Sequence, residues 1–227
     1  MTTTTTSDVP SKSPQSAQST VIMLPRRTID SVLVGLGILA IVILVVAGGL
    51  LAWGHQFASN YVDDELSSQN ISFPSNAALI AEGRSDLTPF GGRQVNTGKE
   101  AEAYASYING HLIGIANGAT YADLGAAERA AKAAAQKAVD DGADQQVIDE
   151  LQTTKAGITA QRDSLFKGET LRGLLLSAFA WSTVGTIAGI AAIAAFIAAI
   201  IMTFLVGIGL VHRARTRRII SVEALMT

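Results

Sequence analysis

Chemistry in a protein begins with side chains that can transfer protons, hold metals or attack carbon, and this chain offers few. It has three histidines and no cysteine, so thiolate metal sites, disulfides and cysteine nucleophiles are excluded together. His55 and His212 stand beside two different apolar blocks, and His111 has no histidine or acid four residues away. A metal centre needs three or four converging ligands, and this set does not assemble one. The expected role of His111 is packing, hydrogen bonding or a pH-sensitive contact. No GxSxG, GxGxxG or GxxxxGK occurs. The carboxylate pairs Asp63-Asp64 and Asp140-Asp141 read as solvated helix ends rather than as a glycosidase pair. The expectation is a chain without catalytic residues, cofactor or metal.

The elements that carry these residues explain more. The 227 residues are 48% hydrophobic and 16% charged, with a mean hydropathy of +0.33, too apolar for an ordinary soluble domain. The excess lies in two blocks. Residues 32–54 carry no charge, and as a helix they rise ~34 Å, enough for a ~30 Å hydrocarbon core. After Arg172 no charged residue occurs until Arg213, nearly twice the length that one crossing requires.

Charge placement predicts orientation. Arg26 and Arg27 precede the first block, and Arg213, Arg215, Arg217 and Arg218 follow the second; such clusters mark the cytoplasmic side. The last cluster is explained by topology and attraction to anionic lipid, not by nucleic-acid binding. Between them, residues 55–172 hold 16 acidic and 10 basic side chains. Both termini are therefore expected in the cytoplasm, with an even number of crossings. GIAAIAAFIAAIIM, in the middle of the second block, has no Pro, Asn or Asp for a turn, so one crossing is expected there, at 185–211. Residues 169–184 become a stem outside the bilayer. Trp181 is expected near the outer interface, matched by Trp53 on the first crossing. The first block is long and lacks a small-x-small cleavage site, and Asp30 spoils any twin-arginine pattern, so it reads as an uncleaved signal-anchor.

The predicted organisation is all-α: a disordered cytoplasmic tail over 1–31, a transmembrane helix over 32–54, a helical extracytoplasmic domain over 55–168, the stem, the second transmembrane helix, and a basic tail over 212–227. Within the domain, Pro74 ends an extended stretch, Ser75 or Asn76 caps a short helix ending at Gly83, and 84–98 reads as loop. One helix starts near Thr97 and stops at Gly118, with Ala101, Tyr104, Ile108, Leu112 and Ile115 on one face. Thr120 to Asp123 resembles a capping box for an Ala-rich helix ending at Gly142. Asp144 can cap a third, running to Gly168, with Val147, Ile148, Leu151, Ile158, Leu165 and Phe166 inward. No period-two strand pattern is present.

Two features suggest contacts. Gly185 and Gly189 form GxxxG, extended by Ala192 and Ala199, a ridge that lets another helix approach closely. Its partner is this chain's first crossing, where Gly37, Gly48 and Gly49 offer a complement, or a second copy, or another protein's helix. In the stem, Leu171, Leu174, Leu175, Ala178 and Phe179 fall on one helical face, which suits packing on the domain or lying on lipid. Glu169 and Arg172 can pair at i,i+3. Glu169, Arg172, Leu174 and Phe179 are the candidate interaction residues. No ionisable residue lies within either crossing, against the usual pattern of transporters.

Five segments together resemble a family of uncharacterised two-pass membrane proteins of actinobacteria: ISFP at 71–74, GRQVNTG at 92–98, AYASYINGHL at 103–112, TYAD at 120–123 and LFKGETLRGLLLSAF at 165–179. The resemblance covers most of the chain from the first crossing onward and is weakest at 126–140. It implies a cell-membrane location and two crossings. Some of these proteins bear the name aromatic ring-opening dioxygenase, but that chemistry needs iron held by histidines and a carboxylate, and His111 has no companions. The expected function is non-catalytic: an accessory subunit or scaffold that meets the lipid bilayer and an envelope protein or itself. The alternative is a pore-forming or structural homo-oligomer; a membrane enzyme comes third.

Overall fold

The structure is a computed structural model that describes the backbone of residues 26–223 and the side chains of 28–215. Of the tail expected to be disordered over 1–31, residues 1–25 lie outside the described residues, as do the side chains of Arg26, Arg27, Arg217 and Arg218. Residues 26–31 are helical, a correction, because they extend the apolar helix by its first turns. Regular structure among the described residues is helical: α1 (Arg26–Ser68), α2 (Asn76–Ala81), a 3₁₀ turn (Ser85–Phe90), α3 (Gly98–Ile115), α4 (Asp123–Asp140) and α5 (Gln145–Glu223). Two of them, α1 and α5, are long and apolar enough to cross a membrane.

The helix boundaries follow local chemistry. The first helix begins six residues before the apolar block and continues fourteen beyond it, because HQFASNYVDDELSS contains neither Gly nor Pro. It ends where Asn70 adopts φ 51°, a left-handed position that Asn tolerates. The Ser75 hydroxyl accepts from Ala78 N at 3.3 Å at the start of α2. At α3, Thr97 Oγ1 accepts from Glu100 N (3.3 Å) while the Glu100 carboxylate accepts from Thr97 N (3.1 Å), a complete capping box. Thr120 and Asp123 make the same reciprocal pair, at 3.3 and 2.8 Å, ahead of α4. Gly83, Gly118 and Gly142 all carry positive φ where helices stop.

The third expected helix does not stop at Gly168. Helix α5 runs unbroken for 79 residues through Gly157, Gly168, Gly173 and Gly185. An interior glycine costs ~1 kcal/mol relative to alanine but keeps its backbone hydrogen bonds. At Gly168 the missing side chain has a use: a Cβ there would collide with Leu112 of α3.

The described residues form two compact units, residues 41–201 and residues 26–40 with 202–223. In the larger, the core joins Val62 and Leu66 of α1, Phe73 and Val95, Ala101 and Ala105 of α3, and Leu175 of α5. Burying each large apolar side chain contributes ~1.5–3 kcal/mol. Phe73 and Val95 are brought together by an antiparallel bridge in which Phe73 N donates to Arg93 O (2.9 Å) and Val95 N to Ile71 O (2.8 Å). The segment between α1 and α5 is thus packed upon the 169–184 stretch of α5. In the smaller unit, Gly37 faces Val206 so closely that a Cβ would collide with it.

Two expectations about α5 are corrected. Val147 is 43% exposed and Phe166 57% exposed. The inward positions Ile148, Leu151, Ile158 and Leu165 follow a seven-residue repeat, and Phe166 sits ~100° around the helix from Leu165.

Candidate functional site

Within residues 41–201 the inward positions on α5 run 175, 178, 182, 185, 189, 192, spaced alternately three and four, the repeat of helices that wind around each other. Gly185 and Gly189 lie directly against α1. A Cβ at Gly185 would stand 2.9 Å from that of Ala58, and one at Gly189 would stand 3.0 Å from the His55 ring. His55 donates from Nδ1 to the Gly185 carbonyl at 2.8 Å. Ala192 is buried, and Gly48 packs on Phe196. The small-residue ridge is therefore filled by the chain's own first long helix.

That register corrects the position of the tryptophans. With Ala58 opposite Gly185 and His55 opposite Gly189, Trp181 is level with Val62, nine residues or ~13 Å along α1 from Trp53. They do not mark one level. The reason is the antiparallel stagger of the seam, which a single-helix hydropathy profile does not contain.

The stem residues are divided rather than gathered on one face. Leu175 is buried, and Phe179 is half-buried, its backbone against Gly98, where a Cβ would also collide with Ser182. Leu174 is 65% exposed. Arg172 donates to Glu169 at 3.0 Å across one helical turn. Two hollows flank this helix. One is an apolar groove of about 280 Å³ between Tyr61 and Glu65 of α1, Gln69 just after it, and Leu171, Leu174 and Trp181 of α5. The other, about 440 Å³, lies between α3, the loop before α4 and α5, where Ile113, Tyr121 and Glu169 meet. Phe166 packs on Tyr121 with ring centroids 5.8 Å apart.

A polar latch lies beside the second hollow. Glu128 of α4 accepts from Thr159 Oγ1 at 2.9 Å and forms an ion pair with Arg162. Arg162 in turn stacks over Tyr121, 4.1 Å from its centroid. The hydroxyl of Thr159, followed by the Arg162 guanidinium, holds the Glu128 carboxyl below the usual carboxylate range.

The buried carboxylate Glu100 was missed as a core group by sequence reasoning. It pairs with Arg93 and accepts from Asn96 N, Thr97 N and Thr97 Oγ1. The signal was present as Thr97-x-x-Glu100. His111 finds its acid on another element: Nε2 lies 3.7 Å from Glu82, and Nδ1 donates to the Tyr107 carbonyl at 3.2 Å. Among the described residues no three of His, Cys, Asp and Glu converge as a metal site would require.

No protein-family model, curated protein or solved structure matches this chain.

Proposed function

We propose that this chain is a non-catalytic integral membrane protein that works by binding another protein of the cell envelope, as accessory subunit or scaffold. In this reading α1 and α5 each cross the bilayer once, both ends are cytoplasmic, and the acidic helical domain stands outside. The resemblance of the sequence motifs to an actinobacterial family supports a cell-membrane location. Arg/Lys clusters beside the apolar runs support the orientation, and the absence of any turn in α5 between residues 173 and 211 supports a single second crossing.

The observation that carries the interaction reading is an exposed apolar cluster far from the span. Ile113 (57%) and Tyr121 (41%) line the larger hollow beside Glu169, and Phe166 (57%) packs on Tyr121 at its edge. Phe166 lies nineteen residues, ~28 Å, beyond Gly185 along α5, so lipid does not account for it. Exposed clustered aromatics of this kind mark contact surfaces. A homo-oligomer built through Gly185 and Gly189 is disfavoured, because α1 fills that ridge.

Photo-reactive residues placed singly at Ile113 and Phe166 in the full chain, followed by mapping of the adducts in cells, test this reading. The expected result is one heterologous envelope protein captured from both positions through the same segment. Adducts only to another copy would favour the oligomer, and the lack of any protein adduct at both positions would sink the proposal.

A further inference from the structure

We infer that the groove between α1 and α5 is a lipid site: it holds one acyl chain of a phospholipid whose headgroup carries an ammonium. The inference rests on the two-crossing membrane reading above.

The shape limits the occupant. The hollow, about 280 Å³, runs along the ~15 Å between Leu171 and Trp181. A helix with its side chains is ~10–12 Å across and does not enter. A flexible hydrocarbon chain can follow a hollow of this length and keep carbon–carbon contact, ~3.5–4.0 Å, with both helices. The walls suit one: Leu171, Leu174, Tyr61 and Trp181 are 38–65% exposed, and buried Val62, Leu66 and Leu175 form the floor.

The path into the groove is continuous. Trp53, Phe57 and Tyr61 stack along one face of α1, with centroids 5.7 and 6.2 Å apart, each about half exposed or more. This aromatic ladder runs from the end of the first apolar block to the groove, so a lipid can rise along it without exposing its chain to water. Its polar end would meet Glu65 and Ser177 about midway along the groove, with Gln69 beyond them. Glu65 is the one charged lining residue, with Asp63 and Asp64 beside it on α1. An ammonium is favoured there and an anionic headgroup opposed.

The chain has two tryptophans, which permits a direct test. The full chain is reconstituted into phosphatidylcholine vesicles doped with phosphatidylethanolamine or phosphatidylglycerol carrying the same brominated chains. Trp53→Phe leaves Trp181 as sole emitter, and Trp181→Phe leaves Trp53 as the span-level reference. Brominated phosphatidylethanolamine is expected to quench Trp181 roughly two- to fivefold more effectively than brominated phosphatidylglycerol, the range an exposed ion pair supplies. Glu65→Gln, checked for native helicity, should erase that preference while leaving Trp53 quenching unchanged. Quenching of Trp53 without quenching of Trp181 would overturn the lipid site and leave the membrane reading standing. Equal quenching of Trp181 by both lipids, indifferent to Glu65→Gln, would mean ordinary bilayer contact and also overturn it. If neither tryptophan is quenched, the membrane reading falls, and the site with it.

Discussion

His55 and Gly185, 130 residues apart, are joined by a 2.8 Å hydrogen bond from the imidazole Nδ1 to the glycine carbonyl. This contact is possible because Gly185 has no side chain: a Cβ there would press on Ala58, three residues further along α1. The bond and the close approach together set the axial register of the two long helices in this unit. That register decides which apolar residues of the stem meet the domain and which face outward.

Replacing Gly185 or Gly189 by leucine should therefore destabilise the helix pair. Overpacking of a close seam typically costs ~1–3 kcal/mol, read as a lowered melting temperature of the detergent-solubilised protein. Leucine at Gly173, whose Cβ would meet nothing within 4 Å, should leave the melting temperature nearly unchanged and serves as the control. Equal effects at the three positions would contradict the seam.

A second close approach couples α3 to α5. Gly98→Ala should push against Ser182 and lower stability by a similar ~1–3 kcal/mol. Ser182→Gly in the same chain should restore most of the loss, giving a coupling energy that a double-mutant cycle measures. Additive effects would mean that the two residues do not meet.

The capping box of α3 should show a gradient of cost. Thr97→Ala removes one cap and should cost ~1 kcal/mol. Glu100→Ala also leaves two backbone donors without their acceptor and should cost more, a further ~1–3 kcal/mol for the unsatisfied donors. The exposed Arg93 guanidinium returns to water. Chemical denaturation of both variants checks the order.

Acid should loosen α4. The Glu128 carboxyl is held below its ordinary range by Thr159 and Arg162. A group whose folded value is depressed contributes stability that is fully present above its unfolded value, ~4.3, and is lost as pH falls through the folded one. Protection of the α4 amides, their exchange rate relative to an unstructured chain at the same pH, should consequently be steady at neutral pH and fall once the pH drops below about 4. Glu128→Gln should lower protection at neutral pH and flatten its acid dependence; an unchanged acid profile in that variant would remove Glu128 as the cause.

Much of the helical layout is legible in the sequence because its causes are local. Ser75 and the Thr120–Asp123 pair announce helix starts, and Gly83, Gly118 and Gly142 announce ends, through hydrogen bonds and backbone angles that need no distant neighbour. Phe166 and Val147 were assigned inward because they are apolar and adjacent to true seam positions. A one-residue error in phase is invisible until the partner helices are known. Gly168 misled for a related reason: the same residue type serves helix stops and close helix contacts, and only the nearness of Leu112 distinguishes them. Of the candidate stem residues, Glu169 and Arg172 pair as their spacing suggests, whereas Leu174 and Phe179 go to different sides.

By itself, the sequence determined that the chain carries two charge-poor helices long and apolar enough to cross a membrane, a cysteine-free acidic segment between them, and most helix boundaries within that segment. Composition, caps and glycines act over one or two turns, so one chain suffices to read them. The tertiary structure alone decided the register of α1 against α5, the ~13 Å stagger of Trp53 and Trp181, the burial of Glu100 and the groove beside Glu65. A seam of glycines and alanines offers similar close packing at several axial offsets. The offset is selected by contacts between residues more than a hundred positions apart, His55 with Gly185 and Val62 and Leu66 with Leu175, and no local pattern encodes them.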